Sequence, residues 1–88
     1  MRLLCIDGYF DEEQKKRINQ WPLEGEEYTV RAEIRYANGR CGYLLNEVVN
    51  PPIFDGKREP TFRTTRFVVL EGDDSVVIEE LELEETFL

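Results

Sequence analysis

The residue types that most often carry catalysis are scarce in this chain of 88 residues. Histidine is absent, which removes the commonest general base and the commonest metal ligand. The single serine, Ser75, lies in an acidic run with no base to activate it. A Ser–His–Asp or Cys–His site cannot be assembled from these residues, so the sequence predicts a protein that is not an enzyme.

The two cysteines, Cys5 and Cys41, are far apart in the sequence. Zinc takes about four ligands and favours closely spaced pairs, so no zinc site is expected. Each cysteine lies in an apolar stretch, which is typical of a small buried side chain rather than of a disulfide partner. We therefore expect reduced thiols and no metal or other cofactor.

Arginines interleaved with aromatic residues are the strongest candidate for ligand binding. The candidate arginines are Arg31, Arg35, Arg40, Arg63 and Arg66. Tyr28, Tyr43 and Phe62 alternate with them in sequence, and such a surface can stack on bases and pair with phosphates. The alternative is an ordinary solvated strand face with Tyr28 and Tyr43 in the core, which strand alternation favours.

Trp21, the only tryptophan, is a second candidate. Beside Pro22 it could clasp a proline-rich peptide, as exposed tryptophans do in some small barrels. The interpretation that average tryptophan burial favours is a plug at one end of the fold.

The charge of the chain is divided unevenly. The net charge is −8, and residues 71–88 contain eight acids and no base, so residues 1–70 are balanced. The glutamates of this segment lack a loop that would bring their oxygens together, which indicates a solvated face rather than a cation site. With Leu81 and Leu83, the segment could dock on a basic partner or fold back over Arg31, Arg35 and Arg66.

The elements that position these residues are short. Residues 2–6 form an apolar run typical of a buried strand, and Asp11 followed by Gln14 predicts a short helix with a capping box. Residues 61–70 indicate one or two further strands, whereas Pro51 and Pro52 exclude a central strand. For residues 75–88 the Glu and Leu content favours a helix, with an extra strand or a flexible tail as alternatives.

A β-hairpin over residues 27–45 is the clearest local feature. Asn38 and Gly39 are the favoured pair for a two-residue turn. That turn predicts pairing of Ile34 with Tyr43 and of Ala32 with Leu45, which gathers the apolar residues on one face.

Short strands, a tight hairpin and Pro/Gly-rich loops predict a small, mainly β fold. The order of Leu4-Cys5-Ile6-Asp7, Glu24–Val30, Cys41–Val48 and Arg66-Phe67 resembles short SH3-like barrel proteins encoded by phages and bacterial mobile elements. This resemblance covers residues 2–70. It implies an SH3-like barrel of about five strands over residues 1–70. The short helix lies in the first long loop of that barrel, and the acidic segment at residues 71–88 lies outside the resemblance. The resemblance implies no activity or catalytic residue.

The sequence thus favours a non-enzymatic interaction module that binds a protein partner or self-associates. The alternative is a nucleic-acid-associated accessory protein that uses the arginine face. The first predicts a contiguous exposed apolar patch, and the second predicts clustered arginines with exposed aromatics. No membrane segment, signal peptide or small-molecule substrate is indicated, so a cytoplasmic protein is expected.

Overall fold

The computed structural model describes residues 1–37, 39–52, 59–72, 76–80 and 88. Their elements, in chain order, are β1 (Arg2–Cys5), α1 (Glu12–Arg17), β2 (Glu27–Tyr36), β3 (Cys41–Leu45), β4 (Phe62–Arg63), a 3-10 turn (Thr64–Arg66), β5 (Phe67–Glu71) and β6 (Val77–Glu80). The prediction of a mainly β fold is confirmed, with a sixth strand beyond the five that were expected.

β2 is the strand around which the sheet is organised. The order is β4-β3-β2-β1-β5, and every neighbouring pair in it is antiparallel. One edge of β2 carries β3. The opposite edge is shared, because β1 pairs with residues 27–29 and β6 pairs in parallel with residues 33–36.

The predicted hairpin exists as β2 and β3, but its predicted register is wrong by one residue. Ile34 lies opposite Gly42 rather than Tyr43. The prediction assumed a two-residue turn made of Asn38 and Gly39. Asn38 lies outside the described residues, yet the flanking hydrogen bonds define the loop.

That loop contains three residues, since the N–H of Tyr36 donates to the carbonyl of Arg40 at 2.8 Å. Gly39 closes it in the left-handed region at φ +88°, as a three-residue hairpin loop requires. A second irregularity, between Val30 and Ala32, shifts the pairing again. Loop length and this bulge, rather than strand alternation, therefore set the register.

The bulge also divides the apolar side chains of β2 between two clusters. Val30 pairs with Leu45 and Ala32 pairs with Leu44, and adjacent leucines point to opposite faces of β3. The larger cluster contains Leu3, Cys5, Phe10, Ile18, Tyr28, Val30, Tyr43, Leu45, Val48, Phe62, Phe67 and Leu88. The smaller one contains Ala32, Ile34 and Tyr36, with Leu44 packed against it.

The predicted short helix is confirmed with its capping box. The Asp11 side chain accepts from the Gln14 N–H at 2.8 Å, and the Gln14 side chain accepts from the Asp11 N–H at 3.0 Å. Two acids in the first turn and three bases in the last also match the helix dipole. The helix itself buries no residue, so the connection after it must hold it to the sheet.

Buried Asn50 makes that attachment. Its Oδ1 accepts from the N–H groups of Asn19 and Gln20, both at 2.8 Å, and its Nδ2 donates to the Gln20 carbonyl at 2.8 Å. Ile18, just before this clamp, is buried in the larger cluster. The clamp therefore fixes the chain immediately before Trp21.

The preference for a helix in residues 75–88 is wrong for Val77–Glu80, which is strand β6. Val76, Val77 and Ile78 are β-branched and suit a pleated strand. β6 forms its hydrogen bonds with the part of the β2 edge that β1 does not cover, since the Glu33 N–H donates to the Val76 carbonyl at 2.8 Å. Pairing with β2 outweighs the helix propensity of the glutamates. Residues 81–87 lie outside the described part.

Candidate functional site

Six aliphatic side chains on β5 and on the start of β6 are exposed to solvent. They form a surface that we call the aliphatic edge, made of Val68, Val69, Leu70, Val76, Val77 and Ile78. Their exposed fractions run from 41% for Ile78 to 61% for Val76. Scattered exposed aliphatics are ordinary, whereas three in a row on β5 and three more at the residue before β6 and its first two positions indicate an interaction surface.

Topology places the two halves of this surface along the same border of the sheet. β5 is antiparallel to β1, and β1 is antiparallel to β2, so β5 runs parallel to β2, as β6 does. The Val30 N–H donates to the Met1 carbonyl at 2.9 Å, and the Glu33 N–H donates to the Val76 carbonyl at 2.8 Å. Thus β6 begins just beyond the start of β1. It pairs with β2, whereas β5 pairs with β1, so β6 lies one strand position closer to the middle of the sheet than β5.

Both strands of the aliphatic edge have an outer side on which no strand is paired within the described ranges. Natural sheets protect such borders with lysine, proline, bulges or inward-pointing charges. β5 has one register irregularity, opposite Arg2 and Leu3, but contains neither lysine nor proline. Its sequence, Phe67-Val68-Val69-Leu70-Glu71, carries one charge, at its end. Among the described strands, this border therefore has neither a paired strand nor the usual protecting residues.

Arg66, a candidate for the arginine face, is buried and holds main chain together. Its Nε donates to the main-chain oxygen of Leu88 at 2.8 Å, and its Nη1 donates to the carbonyls of Asp7 at 3.2 Å and Tyr9 at 2.7 Å. The guanidinium lies 3.9 Å from the centre of the Phe10 ring. Burial lowers the pKa of Arg66, and the nearby Asp7 carboxylate opposes that shift. Arg66 is therefore structural and is not available to a ligand.

Arg31 and Arg35 each have a carboxylate partner on the protein. Arg31 Nη2 lies 2.6 Å from an oxygen of Glu59, and its Nε donates to the Leu45 carbonyl at 3.1 Å. Arg35 Nη2 lies 3.4 Å from Glu33. A continuous, uncompensated arginine face across β2 is therefore not formed.

Arg40 and Arg63 are the candidate arginines that the fold brings together at the surface. Both are exposed, and they line an open cleft of about 450 Å³ between the hairpin loop and the 3-10 turn. Cys41, Thr64 and Thr65 also line this cleft. Its wall contains two guanidinium groups and two hydroxyl groups and no aromatic side chain.

The aromatic residues expected beside the arginines are inside the fold. Tyr28, Tyr43 and Phe62 are buried, at 8%, 7% and 0% exposure, which confirms the interpretation of the two tyrosines as core residues. Burial raises the pKa of Tyr28 and of Tyr43 above the ordinary value of 10.0. These rings are not accessible to stack on a base.

Trp21 is half-buried and packs against the larger core cluster. Its ring centre lies 6.5 Å from that of Phe10, and Lys15 Nζ lies 5.4 Å from the ring. The indole thus contacts both the core and a lysine of the helix. Leu81 and Leu83, the remaining sequence candidates, lie outside the described residues.

Among the described residues, no group of three or more His, Cys, Asp or Glu side chains is arranged to hold a metal ion. Cys5 and Cys41 are both free thiols, and burial raises the pKa of the Cys5 thiol above its ordinary 9.0. A buried thiol with a raised pKa is a poor nucleophile. None of the helices in the described ranges has the length and apolar character needed to cross a bilayer.

Comparison of the chain with protein families, with curated proteins and with solved structures gave no match. The aliphatic edge therefore has to be interpreted from its own chemistry. Sequence reasoning missed it, although the runs Phe67–Leu70 and Val76–Ile78 were visible signals of strands with high β propensity. The position of these runs at a border depends on strand order, which the runs themselves do not encode.

Proposed function

We propose that this protein is a non-enzymatic interaction module and that the aliphatic edge is its docking surface for a protein partner. The observation that carries the proposal is the exposure of six aliphatic side chains, five on the consecutive strands β5 and β6 and one, Val76, directly before β6. Leaving such a surface in water is unfavourable by roughly 25 cal/mol for each Å² of apolar area. A protein partner, or a second copy of the chain, would remove that area from solvent.

The fold that accompanies this proposal is a small SH3-like barrel of the kind found in phages and bacterial mobile elements. Support comes from the connection between β4 and β5, which lie at opposite ends of the strand order. Only Thr64–Arg66 separate them in sequence, so the two ends of the sheet must approach each other. A cytoplasmic location also belongs to the proposal, and the free thiols of Cys5 and Cys41 agree with a reducing compartment.

Nucleic-acid association is the second candidate function, and the cleft of Arg40 and Arg63 favours it. Phosphate contacts give such binding its affinity, and two adjacent arginines can supply them. Against it stand the burial of Tyr28, Tyr43 and Phe62 and a net charge of −8. The six exposed aliphatic side chains favour protein binding, so that proposal ranks first.

Affinity capture from the native host, with and without nuclease, tests the proposal. The bait is the full chain, and it is compared with the variants Val77→Lys and Val49→Lys. Val77 is 43% exposed within the aliphatic edge, whereas Val49 is 52% exposed outside it, so the two substitutions match in residue type and exposure. We expect the unmodified chain to capture a protein partner even after nuclease treatment. The Val77→Lys bait should no longer capture that partner, whereas the Val49→Lys bait should still capture it.

A different pattern would favour the second candidate. If captured material disappears on nuclease treatment and Val77→Lys has no effect, docking at the aliphatic edge is wrong. In that case the double variant Arg40→Ala/Arg63→Ala should abolish retention on DNA, because both cations of the cleft are removed.

A further inference from the structure

We propose that β5 accepts an extended segment of another protein as an additional strand of the sheet, and that this segment combines an apolar centre with basic flanks. This inference rests on the proposed function, since it specifies how the aliphatic edge binds and what chemistry its partner has. Binding by strand addition draws affinity from main-chain hydrogen bonds and specificity from alternate side chains.

The main chain of β5 has the groups that such a strand needs. The Arg66 carbonyl accepts from the Ile6 N–H at 2.8 Å, so residue 66 directs its main-chain groups toward β1. Directions alternate along a strand, and the pairing of Leu4 with Val68 continues that alternation. The N–H and the carbonyl of Val69 consequently face away from β1, where no described strand lies.

The Phe67 carbonyl, like the main-chain groups of Val69, faces away from β1, whereas the Phe67 N–H donates to the Thr64 carbonyl. One carbonyl at Phe67 and both main-chain groups at Val69 thus lie along the outer side of β5, where no strand of the described ranges is paired. Their spacing is that of alternate strand residues, so one partner strand can bind all three. The irregularity of β5 begins only after Val69 and leaves this stretch regular.

The side chains beside those groups are apolar on both faces of the strand. Val69 is 49% exposed and lies beside Leu3 of the core, while Val68, 45% exposed, lies beside Leu4 on the other face. An added strand with β-branched or other aliphatic residues would extend both surfaces. A polar strand would leave this apolar surface in contact with water and would gain only main-chain hydrogen bonds.

Charge determines which partner is favoured. Residues 67–88 contain eight acids and no base. Two of the acids have an arginine across the sheet: Glu71 lies 3.8 Å from Arg2, and Glu79 is paired with Arg35. The chain as a whole has a net charge of −8, so lysine or arginine flanks on the partner are attracted. A second copy would bring a further net charge of −8 to the same border, which opposes self-association.

Selection of random peptides displayed on phage, with the full chain as the target, tests this inference without a known ligand. Selected peptides should show alternating aliphatic or β-branched residues with lysine or arginine at the flanks. Raising the salt concentration from about 0.1 M to about 1 M shortens the screening length from about 10 Å to about 3 Å and should weaken binding several-fold. Affinity is measured by fluorescence anisotropy of the selected peptides made synthetically.

Two variants of Val69 locate the binding. Val69→Pro removes the outward N–H and should lower affinity at least tenfold, whereas Val69→Thr keeps the main chain and the β-branched shape and should retain most of it. If Val69→Pro fails to fold, amide hydrogen exchange in the unmodified chain gives the answer. Peptide binding should protect the Val69 amide strongly, while the Val68 amide, which faces β1, changes little.

The outcomes separate this inference from the proposed function. Peptides that bind without any effect at Val69 would refute strand addition, and peptides that bind without a basic excess would refute the basic flanks; both results leave protein binding in place. If no peptide is enriched and the unmodified chain instead associates more strongly as salt is raised, the occupant is a second copy and the basic-partner inference is wrong. Absence of both peptide binding and self-association would overturn the inference, and the affinity capture separately decides the proposed function.

Discussion

Replacing Arg66 tests whether this arginine is a structural element rather than part of a binding face. Arg66→Ala removes the donors to three main-chain oxygens, those of Asp7, Tyr9 and Leu88. It also removes the contact of the guanidinium with the Phe10 ring at 3.9 Å. These partners come from two separated parts of the chain, residues 7–10 and residue 88, so the loss affects the packing of both.

The expected loss of stability follows from opposing terms. Hydrogen bonds from a charged donor contribute about 1.5–3 kcal/mol each, and a cation over an aromatic ring contributes about 0.5–2 kcal/mol. Removing the buried charge of Arg66 recovers several kcal/mol of desolvation. We therefore expect a net loss of about 2–4 kcal/mol, which is measurable against the roughly 4–13 kcal/mol typical of a domain this size.

Equilibrium unfolding in urea, followed by the fluorescence of Trp21, provides the measurement because Trp21 is the only tryptophan. Arg66→Lys keeps the charge but cannot reach all three oxygens, so it should lose less than Arg66→Ala. Arg63→Ala is the matched control, because Arg63 is an exposed arginine three positions away and should change stability by about 0.5 kcal/mol or less.

The ion pair of Arg66 with Asp7 should contribute little, since the Asp7 side chain is 55% exposed and water screens the 3.4 Å contact. Asp7→Asn is expected to cost less than about 1 kcal/mol. A loss below about 1 kcal/mol for Arg66→Ala, or an equal loss for Arg63→Ala, would refute the structural assignment of Arg66.

Three further variants probe other parts of the fold. Gly8→Ala should destabilise the protein by about 1–3 kcal/mol in urea unfolding, because its Cβ would lie 2.6 Å from the Glu24 main-chain nitrogen; Gly72→Ala, with its nearest atom at 3.8 Å, is the control and should be close to neutral. Asn50→Ala should cost about 2–4 kcal/mol, since two N–H groups and one carbonyl lose their partner, and an equal loss for Asn50→Asp, which keeps the acceptor, would contradict that reason. Burial raises the pKa of Tyr43 in the folded protein above 10.0, so its neutral phenol contributes stability that is complete below pH 10 and is lost as the pH rises through the folded pKa. Tyr43→Phe should therefore lose less stability above pH 10 than the unmodified chain does. Parallel curves of stability against pH for the two proteins would contradict this expectation.

Local signals in the sequence predicted local structure well. The capping box of Asp11 and Gln14 lies within four residues, and its two hydrogen bonds involve only those residues. Burial of Tyr28 and Tyr43 followed from alternation along two strands. The hairpin register was missed because the loop between β2 and β3 has three residues instead of the two that Asn38-Gly39 indicated, and the bulge at Val30 then shifts the pairing again.

The candidate site was harder to predict because it depends on distant parts of the chain. Arg66 looks like a surface residue before Phe67, but the 3-10 turn directs it inward toward Asp7 and Leu88. The exposure of Val68 and Val77 depends on which strands end the sheet, and that order is set by contacts between residues more than forty positions apart.

β1 and β6 share one edge of β2 but are held with different strength, so β6 can open while β1 stays closed. β1 lies between two strands and contributes Leu3 and Cys5 to the core, whereas β6 pairs only with β2 among the described strands and leaves Val77 and Ile78 exposed. Amide protons of β1 should exchange with deuterium only on global unfolding. Those of β6 should exchange through a local opening that needs less free energy than global unfolding. That opening would expose the edge of β2 at residues 33–36, which β6 covers in the folded protein. A strand that binds this edge more tightly than β6 does could then replace β6.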